Sequence, residues 1–317
     1  MGQIITKYLP LWILACSGIA YVYPEPFRDW QGLTAPSLAF ILFAMGISLP
    51  TESIVAVLKR PKVMLLGVTW KWTITLAISI MIALLFFPDH TEMATGIILA
   101  GAVPSGTSAN LYTFIAEGTT ALSITMSAMD TFVGPVLTPV IMKAAAGKYV
   151  HVEFVPLFLK LIYIVLLPIS LGLFIQWKWG GYVRRIRAAI PVLSAFCLFI
   201  VVLAVVSNSQ EMLQQNLHLL PLLTLAVVLQ VTLPMLAGYA LARLFRFAEG
   251  DCRAIMFETG NCNTALAALL AIDHFSAGTA VPAVANVVAN LSIGAFVAMS
   301  LAKRSRKQHS SKVSPIS

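Results

Sequence analysis

The chain has 317 residues, of which 59% are hydrophobic and only 11% charged, and its formal net charge is +8. Soluble domains average about 45–50% apolar and 25% charged residues, so this chain has too little polar surface to cover a water-soluble globule. The composition excludes a soluble enzyme, a secreted disulfide scaffold and a disordered protein. The basic residues lie between apolar runs, so the positive charge does not indicate nucleic-acid binding.

Apolar runs follow one another along the whole chain, and a helix needs about 20 such residues to cross the hydrocarbon core of a bilayer. The pattern predicts an all-α polytopic membrane protein with ten transmembrane helices. The predicted spans are 8–24, 34–51, 63–88, 93–116, 119–144, 154–177, 187–207, 219–245, 252–273 and 277–301.

Loop charge predicts the orientation of these spans. With ten spans, 16 of the 21 basic residues fall on one side of the membrane and three on the other, and Lys71 and Lys160 lie within spans. Cytoplasmic loops are enriched in Lys and Arg, so we expect a multi-pass protein of the inner (plasma) membrane with both termini in the cytoplasm. Lys160 is expected to extend to the external interface. Residues 303–317 are expected to form a short, disordered basic tail on the cytoplasmic side.

The fourth and ninth spans share an unusual feature, which is glycine among small hydroxyl and amide residues in mid-span. Gly106 and Gly260 are 154 residues apart, and an odd number of spans separates them, so the two halves run through the membrane in opposite directions. This pattern predicts two inverted five-helix repeats, 1–150 and 151–302, with broken, crossing helices four and nine.

Both breaks have a physical cause. Pro104 removes a backbone donor, and glycine weakens a helix. Broken helix ends present N–H groups suited to an anion and carbonyls suited to a cation, and a buried Glu258 is costly unless it serves a site. The alternative is that these small polar residues only pack helices together. Their presence in two matched spans favours the site.

The residues around both breaks resemble a known family. Residues 104–110, Pro-Ser-Gly-Thr-Ser-Ala-Asn, are similar to the P-G-G-T-x-S-N crossover of the bile acid:sodium symporter family. Residues 257–267, Phe-Glu-Thr-Gly-Asn-Cys-Asn-Thr-Ala-Leu-Ala, resemble its F-E-x-G-x-Q-N-S-x-L-A segment, and Arg60-Pro61-Lys62 matches the R-P-K before span three. The resemblance covers essentially the whole chain. It implies a panel and a core group of helices, an organic-anion substrate, and sodium ions bound near the crossover. Among bacterial members, it points to carriers of the pantothenate precursors pantoate and ketopantoate.

The resemblance also implies roles for individual residues. The first sodium site would use Asn110, Ser123, Ser127 and Glu258. The second would use Glu258 with the backbone oxygens of Thr259 and Asn261. Substrate contacts would come from Thr107, Asn263 and Asn290. Lys71 and Cys262 stand where the family has glutamines, so at least one sodium site is expected and the second is in doubt.

Lys71 lies about nine residues into span three, where a lysine costs about 2.5–3.5 kcal/mol on insertion scales. We therefore expect a negative partner, and Glu258 and Asp130 are clearly within spans. Our hypothesis is that Lys71 replaces the second sodium ion. The alternative is that it snorkels to the cytoplasmic face. Asp130 has three open roles, which are to pair with Lys71, to line the site, or to bind a backbone or hydroxyl group. Lys71, Asp130 and Glu258 are the coupling candidates.

These features predict a secondary active transporter, a cation-coupled symporter that moves a small organic anion such as pantoate or ketopantoate by alternating access. No Walker motif is present, so an ion gradient must supply the energy. One alternative is a proton-coupled or sodium-independent carrier in which Lys71 replaces sodium. A channel is a second alternative, and it would need a continuous polar pore. An enzyme is a third, but the sequence offers neither HExxH nor a carboxylate pair. The expected partners are the anion and the lipid bilayer, without nucleic acid or an implied protein partner.

Overall fold

The computed structural model describes residues 9–48, 61–186, 189–215 and 217–313, with side chains described for 11–48, 61–183, 189–215 and 217–303. The first half contains α1 (Leu9–Val22), α2 (Glu25–Arg28), α3 (Gln31–Ser48), α4 (Pro61–Phe86), α5 (Thr91–Gly101), α6 (Ser108–Ile115) and α7 (Thr120–Ala146). The second half contains α8 (154–186), α9 (Ile190–Asn208), α10 (Gln210–Gln215), α11 (Leu220–Leu244), α12 (Glu249–Gly260), α13 (Thr264–His274) and α14 (Ala277–Val313). A single 3₁₀ turn, Leu217–Leu219, precedes α11.

The described residues form helices without a strand, and seven of these helices are long and apolar enough to cross a membrane. The prediction of an all-helical, polytopic membrane protein is confirmed at this level. Helices α1 and α13 are apolar but shorter.

The long helices pack in two groups. Helix α3 packs chiefly against α8 and α9, and α9 also packs against α1; we call these four helices the panel group. Helices α4–α7 and α11–α14 form the core group, in which α11 packs on α12, and α14 packs on α13 and α5. In the panel group, α3 and α8 approach closely at Gly46 and Gly172, where a Cβ built on Gly172 would lie 3.0 Å from the Gly46 Cα atom.

Three of the long helices contain a π-helical turn, a local widening that is frequent at functional sites. These turns are Lys71–Thr75 in α4, Met142–Ala146 in α7 and Ile162–Leu166 in α8. The first of them begins at the lysine that the sequence singles out.

One prediction is wrong. The basic tail is not disordered from residue 303, because α14 continues to Val313. The chain between Gly294 and Pro315 has neither glycine nor proline to end it. Lys160 forms an ion pair with Asp273, near the end of α13, at 2.9 Å, and its extension to the external interface stays a prediction. Several basic positions behind the predicted orientation lie outside the described residues, namely Lys7, Lys59, Arg60 and Arg187.

Candidate functional site

The two predicted breaks meet inside the core group. Helix α5 ends at Gly101 and α6 begins at Ser108, while α12 ends at Gly260 and α13 begins at Thr264. The extended segments between these helices run antiparallel. We call the place where these two segments meet the crossover.

Two reciprocal backbone hydrogen bonds fix the crossover. The Gly106 N–H donates to the Asn261 carbonyl at 3.1 Å, and the Asn263 N–H donates to the Pro104 carbonyl at 2.9 Å. A Cβ atom at Gly106 would lie 3.0 Å from the Cys262 carbonyl oxygen, which is tighter than most Cβ contacts, so this close approach favours glycine. Four helix ends therefore meet here, two with N–H groups and two with carbonyls that lack partners within their own helix.

Glu258, in the last turn of α12, is completely buried and surrounded by hydroxyl groups. The Ser123 Oγ atom lies 2.5 Å from the carboxylate, the Ser105 Oγ atom 2.6 Å and the Ser127 Oγ atom 2.9 Å. The Asn110 Oδ1 atom lies 2.8 Å from the Ser123 hydroxyl and 3.3 Å from the Ser127 hydroxyl. The structure thus brings together all four residues of the first predicted sodium site, which come from α6, α7 and α12.

The chemistry of this cluster suits a hard monovalent cation. Asn110, Ser123, Ser127 and Glu258 contribute five side-chain oxygens, but only the two serine hydroxyls carry protons, one each. Oxygen acceptors therefore outnumber donors, and oxygen ligands are what hard cations prefer. The negative carboxylate and the carbonyl ends of nearby helices favour the same charge.

The second predicted sodium site is arranged differently. The Thr259 carbonyl already accepts a hydrogen bond from the Thr75 hydroxyl at 2.7 Å, and the Asn261 carbonyl accepts the Gly106 N–H. The Asn261 side chain is also buried, and both polar atoms of its amide lack a partner among the described residues. The two carbonyls named by the resemblance thus lie at the crossover, but each already binds a protein donor.

Lys71 lies at the crossover with no exposed surface, which contradicts the snorkelling alternative. Its ammonium donates to the carbonyl of Val103, and its Nζ atom lies 3.7 Å from the ring centroid of Trp72. Asp130, Cys262 and Glu258 are its neighbours, and the two carboxyl groups among them are the groups that can carry negative charge. The expected direct ion pair is absent among the described side chains, since neither carboxylate lies within 4.0 Å of the ammonium. A backbone carbonyl freed by the break takes that place.

Asp130 takes one of its three open roles, which is to bind a backbone group. Its carboxylate accepts hydrogen bonds from the Trp72 indole N–H at 2.9 Å and from the Ser105 N–H at 3.3 Å. These bonds hold α4 and the first crossover segment against α7. The same buried carboxylate is also a neighbour of Lys71.

A cavity of about 530 Å³ lies beside the crossover, between the core and panel groups. Its polar lining includes the three predicted substrate contacts, Thr107, Asn263 and Asn290. The Asn290 amide donates to the Cys262 carbonyl at 3.0 Å, and its Oδ1 atom lacks a partner among the described residues. Asn263 caps α13 by accepting the Leu266 N–H at 3.1 Å.

The rest of the cavity wall is mainly apolar, and no charged side chain among the described residues lines it. Leu38 and Leu198 of the panel group face the crossover, and the first residues of α6 and α13 lie in the wall. Helix N-termini carry partial positive charge, so this cavity suits a ligand with one anionic end and an apolar body. Pro191, at the start of α9, and Met299, late in α14, also line it, so it extends towards these two parts of the helices.

Sequence reasoning did not assign Ser105 to the site, although its hydroxyl contacts Glu258. Its position between Pro104 and the glycine of the break was the available signal. The Val103 carbonyl was also missed, and no sequence signal marks a backbone acceptor.

Comparisons with known proteins agree with this geometry. Residues 35–216 match the Sodium Bile acid symporter family. The chain is 32% identical over 311 residues to an uncharacterized sodium-dependent transporter, YocS, of Bacillus subtilis (strain 168), covering 97% of this chain and 95% of that one. It is 28% identical over 303 residues to the probable chloroplastic sodium/metabolite cotransporter BASS1 of Oryza sativa subsp. japonica, covering 94% and 73%. The corresponding Arabidopsis thaliana protein is 27% identical, with 94% and 74% covered.

These relatives carry the names of transporters, which confirms the prediction of a transporter rather than an enzyme. Their names also support sodium as the coupling ion. A match across more than half of the chain and a relative above 30% identity lead to one conclusion: the protein belongs to the sodium bile acid symporter family and is a multi-pass, sodium-dependent membrane transporter.

Proposed function

We propose that the protein is a symporter that couples sodium entry to the movement of a small organic anion across the inner membrane. The observation that carries this proposal is that α6 contributes both to the Glu258 oxygen cluster and to the cavity wall. Asn110 of the cluster and Thr107 of the cavity are three residues apart, and both line a second, smaller cavity of about 240 Å³. A cation in the cluster and an anion in the cavity would then contact the same short segment.

This shared segment explains how coupling arises. Sodium in the cluster would order α6 relative to α7 and α12, and so fix the helix N-terminus that faces the anion. Binding of either ligand then favours binding of the other, which is reciprocal coupling between two sites. The Glu258 cluster is the proposed first sodium site, and the anion is proposed to bind Thr107, Asn263 and Asn290.

The proposed architecture has ten spans in two inverted repeats, 1–150 and 151–302, with a basic cytoplasmic tail at 303–317. Seven long helices, α1 and the two broken pairs α5–α6 and α12–α13 together supply ten crossings. The reciprocal hydrogen bonds at the crossover support a two-fold relation between the halves. Both termini would lie in the cytoplasm, and alternating access would follow from motion of the panel group against the core group.

Pantoate and ketopantoate head the substrate panel. Each pairs one carboxylate with a branched aliphatic body, which matches a cavity with helix N-termini at one end and apolar walls. Uptake into proteoliposomes would be measured for these two and other small carboxylates, with sodium and proton gradients imposed separately. Sodium-driven accumulation of an organic anion supports the proposal, and accumulation driven only by protons contradicts it. Non-saturable flux without accumulation would indicate the alternative, a channel.

A further inference from the structure

The crossover contains three charged side chains that are completely buried: Lys71, Asp130 and Glu258. They come from α4, α7 and α12. Of the other acidic side chains described, only Asp251 is also buried, and it lies in the first turn of α12. Seven residues, about 10 Å of helix, separate it from Glu258. The three crossover residues therefore form a separate charge cluster.

Lys71 occupies a position suited to a cation. Its acceptor, the Val103 carbonyl, lies beyond the end of α5, where carbonyls have lost their helical donors and the helix dipole is negative. The Trp72 ring lies against the ammonium and adds a cation–π interaction. The ammonium is tethered by its own chain, so it cannot exchange with the solution as a dissolved ion does.

The sum of these charges is not zero. With all three groups ionised, the two carboxylates and one ammonium have a formal charge of −1, and a buried net charge is costly unless it is paired. One monovalent cation in the Glu258 oxygen cluster would bring the total to zero. A second cation would leave a buried excess of +1.

We propose that Lys71 is a built-in cation of the crossover, so that the protein binds one sodium ion per transport cycle. The inference rests on the proposed sodium site at Glu258 and adds the number of ions that it requires. Lys71 is here a positioning and charge-balancing residue that contacts neither the ion nor the anion.

The charge sum can be changed one unit at a time. Lys71→Gln changes it to −2, Asp130→Asn changes it to 0, and the double variant restores −1. The purified, full-length protein would be unfolded thermally in detergent over a range of sodium concentrations, with choline keeping the ionic strength constant. A ligand that binds only the folded state raises the free energy of unfolding. Well above the dissociation constant, the slope of this free energy against the natural logarithm of the ligand concentration, in units of RT, gives the number of ions bound.

We expect a slope of one ion in the wild type, two in Lys71→Gln and one in the double variant. Asp130→Asn should bind sodium at least tenfold more weakly, because its charge sum is already zero. Lys71→Arg keeps the charge and should keep the slope of one. Lys160→Gln is the matched control, since it removes a span lysine that pairs with Asp273 away from the crossover, and its slope should also be one.

A slope of two in the wild type would overturn the inference and leave the sodium site intact. An unchanged slope of one in Lys71→Gln would overturn it as well. If Lys71→Gln does not fold, Asp130→Asn still decides the question, because sodium binding there with wild-type affinity would overturn the inference. The absence of any sodium stabilisation in the wild type would instead refute the proposed sodium site itself.

Discussion

Ser127 and Thr131 lie one helical turn apart in α7, and both hydroxyls are buried. Only the Ser127 hydroxyl contacts Glu258 and Asn110, because the Thr131 hydroxyl donates to the Ser127 carbonyl at 2.7 Å. Removal of the hydroxyl group should therefore weaken sodium binding at Ser127 but not at Thr131. We predict that Ser127→Ala raises the sodium concentration for half-maximal uptake about tenfold, equivalent to ~1.4 kcal/mol.

Thr131→Ala is the matched control for that change, and its half-maximal sodium concentration should rise less than about twofold. Sodium titrations of uptake in proteoliposomes would measure both values. Equal effects of the two substitutions would show that the loss reflects general damage to α7 rather than a missing ligand.

At the residue scale, sequence could predict the members of the oxygen cluster but not their neighbours. Asn110, Ser123, Ser127 and Glu258 are polar residues where apolar ones are expected, and each matched a family motif position. Lys71 was equally evident from the sequence, but the carbonyl that accepts its hydrogen bond was not. Every residue has a carbonyl, so only the three-dimensional course of the break shows that the Val103 carbonyl is free and within reach of Lys71.

At the scale of helices, the panel group depends on the close approach of α3 and α8. A Cβ atom at Gly172 would lie 2.9 Å from the Ile47 backbone nitrogen, and backbone cannot move aside as a flexible side chain can. We predict that Gly172→Ala destabilises the protein by about 1–3 kcal/mol through overpacking, seen as a lower midpoint of thermal unfolding in detergent.

Gly18→Ala in α1 is the control for this substitution. Nothing lies within 4 Å of its added Cβ atom, and alanine favours a helix over glycine, so the midpoint should stay the same or rise slightly. A midpoint that falls equally in both variants would contradict the close approach of α3 and α8.

The breaks themselves were predictable to within a few residues, because proline and glycine act on the local backbone. Pro104 and Gly106 marked the first break, and α5 and α6 end and begin around them. The second break has no proline. Its extended segment is fixed instead by hydrogen bonds to the first segment, and such long-range pairing is not encoded in local sequence. The positive charges after residue 303 predicted disorder, whereas the helix propensity of the same residues agrees with the continuation of α14 to Val313.

At the scale of the whole molecule, the number of sodium ions determines the electrical behaviour of transport. One sodium ion moving with a monovalent anion carries no net charge. We predict that an inside-negative potassium diffusion potential leaves sodium-driven uptake of the anion unchanged in the wild type. In Lys71→Gln, which is expected to bind a second cation, the rate of sodium-driven uptake should rise under the same potential. Uptake that the potential stimulates in the wild type would contradict a stoichiometry of one to one.

The orientation of the cavity is also a property of the whole molecule. The sequence predicted Thr107, Asn263 and Asn290 as substrate contacts, and all three line the cavity. It did not predict which side of the crossover is open, because that depends on how the panel group rests on the core group. The cavity extends towards Pro191 at the start of α9 and Met299 late in α14.

Coupling of the two sites is tested most directly by running the cycle in reverse. An inward gradient of the transported anion would be imposed on proteoliposomes with labelled sodium at equal concentration on both sides, and sodium accumulation would be measured. We predict that the anion gradient drives sodium inward in the wild type and not in Glu258→Gln, which lacks the charge that holds the ion. Anion entry without sodium accumulation in the wild type would contradict symport through the Glu258 cluster.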